Sequence, residues 1–198
     1  VAKKLTVNAL FERYIESKKL ADSTRSNYIA MWNNRVRDEI GGMKVVQVRP
    51  SHIRLFYSRL TKDGYSHSTI KLIHNLLYPS FEMSVDDDII RKNPAKDALG
   101  DNGEPAKEKM ALTPSQQNRL LSFVERSSVY NVYLPMLQIM IGTGCRCGEL
   151  IGLTWADVDM EKKEVSISCQ LIYKNYGDGY KFHVSTPKPA AGIRKIPM

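Results

Sequence analysis

Four stretches within the first ninety residues repeat apolar side chains every three or four positions, and this spacing commits the N-terminal half to packed helices. In the first stretch Val7, Leu10, Phe11, Tyr14 and Ile15 line one side of a helix. Ser23 and Thr24 then offer capping oxygens to a helix that carries Tyr28, Trp32 and Val36 and stops at Gly41-Gly42. Pro50 suits a first helical turn ahead of Ile53, Phe56 and Leu60, and Asp63-Gly64 closes that helix. Ser66 or Ser68 caps the fourth, whose inner face is Ile70, Ile73, Leu77 and Phe81. Amphipathic helices joined by loops this short predict a bundle.

The pattern breaks across Asp86-Asp87-Asp88-Ile89-Ile90-Arg91-Lys92-Asn93-Pro94, and Gly100-Asp101-Asn102-Gly103-Glu104-Pro105 is polar and turn-rich. The expected division is a helical domain over 1–92, a linker over 93–108 and a second domain over 109–198. Thr113-Pro114-Ser115-Gln116 reads as a capping box with proline in the first turn, followed by Leu120, Leu121 and Val124 on a core face. Leu134, Leu137, Met140 and Ile141 predict another helix. Val165 and Ile167 alternate as in a strand, 175–179 is a loop, and Tyr180, Phe182 and Val184 alternate again. From Thr186 a turn carrying Lys188 leads into one more strand, closing a hairpin that nothing covers, so the chain is expected to be a fragment. The fold class expected is mainly α with a small antiparallel β-sheet.

Composition narrows the function. Hydrophobic residues make up 42% and charged residues 25%, as in a water-soluble globular chain. No apolar run approaches the roughly 20 residues that cross a bilayer, and no apolar core follows the basic N-terminus as in a signal peptide. Cys145, Cys147 and Cys169 are odd in number and clustered, which favours a reducing, cytoplasmic setting over a disulfide framework. Neither Cys145-x-Cys147 nor the scattered His52, His67, His74 and His183 has metal-site spacing, so no metal is expected. Lys and Arg number 29 against 21 acids, for a net charge of +8, and most of the excess falls in residues 1–100. That distribution fits either a polyanion-binding half or a merely basic soluble protein.

The segment Gly142-Thr143-Gly144-Cys145-Arg146-Cys147-Gly148-Glu149-Leu150 places one arginine at the mouth of a short helix after a glycine turn. A guanidinium there offers a planar fork of donors that matches phosphate oxygens, and helix-opening amides would add partial positive charge. The plain alternative is a glycine-capped turn with a surface arginine.

With Leu153-Thr154-Trp155-Ala156-Asp157-Val158-Asp159 behind it, and with Thr186-Pro187-Lys188 followed by Arg194-Lys195-Ile196-Pro197, this segment resembles the tyrosine recombinases of the phage-integrase family. More closely, it is similar to integrases of conjugative transposons. The resemblance implies a helical core-binding domain followed by the first part of an α+β catalytic domain. It implies site-specific cleavage and rejoining of DNA through a 3′-phosphotyrosine intermediate, with no cofactor. Arg146 would be the first catalytic arginine, neutralising charge on a nonbridging phosphate oxygen. Glu149 would orient it, or be an exposed first-turn glutamate. Lys188 would donate a proton to the departing 5′ oxygen, or touch the DNA backbone as a basic turn residue. The family's second arginine, histidines and nucleophilic tyrosine have no counterpart here, since Tyr173, Tyr176 and Tyr180 all precede Lys188.

The same resemblance implies double-stranded DNA as partner, clamped by the two domains, with a homo-tetramer expected at synapsis. Two helices of the first domain would meet the major groove through Thr24, Arg25, Tyr28, Thr69, Lys71, His74 and Asn75. Lys44, Arg91, Lys92, Lys107 and Lys109 would contact the backbone. A DNA-binding regulator without catalysis, and a relaxing topoisomerase that uses the same chemistry, remain open as alternatives.

Overall fold

The computed structural model of the chain describes residues 4–105, 108–177, 179–186 and 192–198. Two units emerge, Val1–Glu108 and Lys109–Met198.

The first unit holds helices α1 (Val7–Ser17), α2 (Asp22–Arg35), α3 (Pro50–Lys62) and α4 (His67–Asp86). Most of the inward residues named from periodicity are buried: Val7, Leu10, Phe11 and Ile15 from α1, Ile53, Phe56 and Leu60 from α3, and Ile70, Ile73, Leu77 and Phe81 from α4, while Tyr14 and Tyr28 are half-buried. Helix α2 contributes Trp32 alone to that core. Its ring stacks on Phe11 with centroids 3.9 Å apart, and the indole N–H donates to Asn8 Oδ1 at 2.8 Å. Tyr28 and Met31 pack half-buried against the core, and the rest of α2 is largely polar, which suits a helix with one side toward a ligand or water. It starts one residue before the expected Ser23-Thr24 cap, with Ala21 as N-cap and no side chain closing it. At Gly41 a Cβ would stand 2.1 Å from Asn8 Oδ1, so only glycine lets the chain turn there. Pro79 sits inside α4, where it cannot donate to the carbonyl one turn back, and Ser80 Oγ donates to Leu76 O at 2.6 Å beside it.

The stretch expected as a linker is instead docked on this unit as far as Glu104. Ala95 and Ala98 are buried in its core. Asn93 Nδ2 donates to Tyr78 O at 2.9 Å, and its Oδ1 accepts from Ala95 N. Further along, His67 N donates to Glu104 O at 2.8 Å and Glu104 N to Tyr65 O at 3.1 Å. Turn-forming composition signalled loop correctly, but a loop whose polar groups find partners can pack as tightly as a helix.

The second unit begins with α5 (Pro114–Arg126), capped as expected: Gln116 N donates to Thr113 Oγ1 and Thr113 N to Gln116 Oε1. Helices α6 (Leu134–Thr143) and α7 (Cys147–Ile151) follow. Strands β1 (Val158–Asp159), β2 (Glu164–Ile167) and β5 (Arg194–Pro197) form an antiparallel sheet in the order β1-β2-β5. Strands β3 (Gln170–Asn175) and β4 (Tyr180–Ser185) pair as a separate hairpin. Thus β5 joins β2 in the register Val165↔Ile196 and does not close a hairpin with β4, as the sequence suggested. The chain is mainly α with small antiparallel sheets.

The core of this unit is thin. Among the described residues it consists of Cys145, Val165 and Ile167, with Leu153 and Ile196 packed on it. On α5 only Val124 is buried; Leu120 is exposed and Leu121 half-buried, against expectation. On α6 Leu134, Leu137 and Met140 are half-buried and Ile141 is exposed. Tyr180, Phe182 and Val184 alternate as foreseen, yet their face of β4 is exposed.

Candidate functional site

Helix α6 ends at Thr143, and Gly144 follows in the left-handed region (φ 65°), donating its N–H to Met140 O. This turn sends the chain inward. Cys145 is buried in the small core, and its neighbour Arg146 becomes the N-cap of α7. Two glycines let α7 lie directly on β3: a Cβ on Gly148 would stand 2.9 Å from Leu171 O, and one on Gly152 would press on Gln170. Arg146 is therefore held on backbone fixed from both sides.

Glu149, at the third position of α7, is the centre of the site. Its side chain is only 1% exposed, so it is not the solvated first-turn glutamate weighed as an alternative. Arg146 N donates to Oε2 at 3.0 Å, and Arg146 Nη1 donates to Oε1 at 2.7 Å. From β5, Arg194 Nη2 donates to Oε2 at 2.8 Å and Nη1 to Oε1 at 3.3 Å. These donors, Arg194 foremost, pull the Glu149 carboxyl from its ordinary 4.5 down to about 2, against burial, which pushes it up. The same contact raises the Arg194 guanidinium further. A buried carboxylate would be costly alone; here it is ionised because two cations share it.

The two arginines differ in presentation. Arg146 has a side chain 71% exposed, whereas that of Arg194 is 29% exposed. The first is tethered to Glu149 through one guanidinium nitrogen and is largely exposed. The expected contribution of helix-opening amides is smaller than foreseen, because α7 has five residues and the Arg146 N–H is already taken by Glu149. What the site can do chemically is hold an anion on an oriented guanidinium.

The sequence places Arg194 in the Arg194-Lys195-Ile196-Pro197 run that carries the family resemblance, without a role of its own. Its partnership with Glu149 spans 45 positions in sequence, and the one available signal was its place in the pattern shared with Arg146. Lys188 lies outside the described residues, as does Lys107.

The DNA-contact candidates fall on several surfaces of the two units. Thr24, Arg25 and Tyr28 lie on α2, half-buried, with Arg25 donating to Lys18 O at 3.3 Å. On α4, Lys71 and Asn75 share one exposed face, one turn apart. Thr69 is half-buried and shares a bond with Ser66 Oγ. His74 is turned inward: its ring nitrogen meets the Tyr57 hydroxyl at 3.0 Å, and burial lowers its pKa. A base or phosphate could thus reach it through one nitrogen only. Lys44, Arg91 and Lys92 are exposed on the first unit, and Lys109 on the second.

The chain is similar to several known proteins. Residues 110–182 match the phage integrase family. The transposase from transposon Tn916 of Enterococcus faecalis is 30% identical over 203 residues, covering 100% of this chain and 49% of the relative. A tyrosine recombinase XerC-like protein of Caldanaerobacter subterraneus subsp. tengcongensis is 28% identical, covering 96% of this chain and 50% of its own length. The chain thus spans about half the length of the curated relatives it matches. Among solved structures, the Tn1549 transposon integrase in complex with a circular intermediate DNA superposes with a TM-score of 0.83 at 31% identity, covering 98% of this chain and 61% of that one. A lambda integrase tetramer bound to a Holliday junction gives a TM-score of 0.66 at 16% identity over 93% of this chain and 51% of that one, a likeness of fold alone.

Proposed function

We propose that this chain is a member of the phage integrase family of tyrosine recombinases and carries the DNA-gripping part of a site-specific recombinase that integrates and excises a mobile element. The observation that carries the reading is the exposed guanidinium of Arg146, oriented on the buried Glu149 carboxylate. In strand cleavage a tyrosine hydroxyl attacks the phosphodiester, a 3′-phosphotyrosine bond forms and the 5′ oxygen departs. Arg146 offsets the negative charge that gathers on a nonbridging oxygen as this happens. Lys188 supplies the proton to the departing 5′ oxygen. The attacking tyrosine is assigned to no residue of this chain.

The partner in this reading is double-stranded DNA, and copies assemble as a tetramer on it. Two structural neighbours are described as a dimer on a core site and a tetramer on a Holliday junction. The polar helix α2 and the exposed Lys71 and Asn75 of α4 face the duplex, and Lys44, Arg91, Lys92, Lys107 and Lys109 neutralise its phosphates. Among the described residues no helix is long and apolar enough to cross a membrane. We place the protein in the cytoplasm, where its cysteines stay reduced.

The test is Arg146→Ala in the whole natural protein, assayed on a duplex carrying its recombination site. Covalent protein–DNA complex should fall by about three orders of magnitude or more, with duplex affinity within a few-fold of wild type, as for loss of a transition-state contact. Undiminished cleavage would remove Arg146 from the chemistry. Tight binding with no cleavage even in the wild-type protein would point to a regulator that occupies recombination sites.

A further inference from the structure

The role of Arg194 follows from the electrostatics of Glu149. A carboxylate has about four lone-pair positions. Four donors fill them here: the Arg146 N–H, Arg146 Nη1, and Arg194 Nη1 and Nη2. With Arg146 alone beside it, Glu149 would cancel the guanidinium's charge, and a phosphate approaching the pair would meet no net attraction. Two of the four positions would also lose their donors, and the carboxylate would draw Arg146 inward to fill them. Arg194 prevents both. It is fixed on β5, paired opposite Ile167 in the core, and its Nη1 is further held by Gly192 O at 3.2 Å.

We propose that Arg194 is a positioning residue: by sharing Glu149 with Arg146 it locks the carboxylate in place and leaves the Arg146 guanidinium both oriented and positively charged toward a phosphate. The cluster of two arginines and one glutamate then carries a net charge of +1. This inference rests on the assignment of Arg146 as a phosphate-binding group.

The test uses the full chain, with inorganic phosphate as probe and the side-chain nitrogen resonances of Arg146 as readout, assigned by their loss in Arg146→Ala. Arg194→Met should weaken phosphate binding at Arg146 by about tenfold, the effect of removing one unit charge at close range in a partly hydrated site. Adding Glu149→Gln to Arg194→Met returns the cluster to +1 and should restore affinity to within about threefold of wild type. A purely structural Arg194 would not respond in this way, because the second substitution removes yet another tie between β5 and α7. The proposal is overturned if Arg194→Met binds phosphate as the wild type does, or if the folded double variant stays as weak as the single one. Should Arg194→Met fail to fold by its amide spectrum, Arg194→Lys decides: wild-type-like affinity supports charge sharing, and a tenfold loss in a folded lysine variant contradicts it. If phosphate leaves Arg146 unmoved in the wild-type chain, the phosphate-site assignment itself is wrong and this inference falls with it, a failure visible before any change at Arg194.

Discussion

The first unit is held by oil and the second by charge. In the first, large apolar side chains from four helices close over one another, with Trp32, Tyr57 and Phe81 fully buried. In the second, among the described residues, the buried apolar side chains are few, and the most enclosed polar group is Glu149, gripped by one arginine at the start of α7 and one from β5. Apolar packing is non-directional and fixes a scaffold. A shared carboxylate is directional and fixes one guanidinium, so the proposed phosphate site lies where packing is thin and geometry is set by hydrogen bonds.

This contrast can be broken at either end. Trp32→Ala removes a stacked, fully buried indole and strands Asn8, and should cost about 4 kcal/mol in denaturant unfolding. Amide exchange should quicken over α1 and α2. Glu149→Ala leaves two arginines facing each other without their counter-ion and should cost about 3 kcal/mol. Its exchange signature should be confined to α7, β2 and β5. Equal responses of both units to both substitutions would erase the distinction.

A smaller effect sharpens it. Because the folded-state pKa of Glu149 is depressed from 4.5 to about 2, its contribution is fully present above about pH 4.5 and is lost as pH falls toward 2. Acid should therefore loosen the second unit, read as exchange protection in α7 and β5, before it loosens the first. Asp157 and Asp159 are also depressed, by bonds from Thr154 and Lys162, so Glu149→Gln serves as the control that isolates the glutamate's part. A second unit whose protection is flat across that window would contradict the assignment.

The same contrast explains what could be read in advance. The four helices of the first unit announce themselves because their apolar spacing is local, and Thr113 with Gln116 does so because a capping box is contained in four residues. Strands β1 and β3 carry little local signal; the first is two residues long, and the second alternates weakly. The docking of 93–104 is not legible in sequence because Ala95, Ala98 and Asn93 give no periodic signal, only a fit to the first unit that exists in three dimensions. At the site, Arg146 and Glu149 were legible as neighbours on one turn. Arg194 was not, since its partner is brought to it by the pairing of β2 with β5, which no local pattern specifies.

In the proposed site Arg146 is aimed at a phosphate while tied to a carboxylate that a second arginine shares. A crystal structure of the chain soaked in tungstate, a tetrahedral oxyanion visible at low occupancy, addresses this arrangement most directly. The predicted result is tungstate within about 3 Å of the Arg146 guanidinium, with Glu149 still bonded to both arginines. Tungstate bound elsewhere, or Arg146 swung off Glu149 to reach it, would contradict the account.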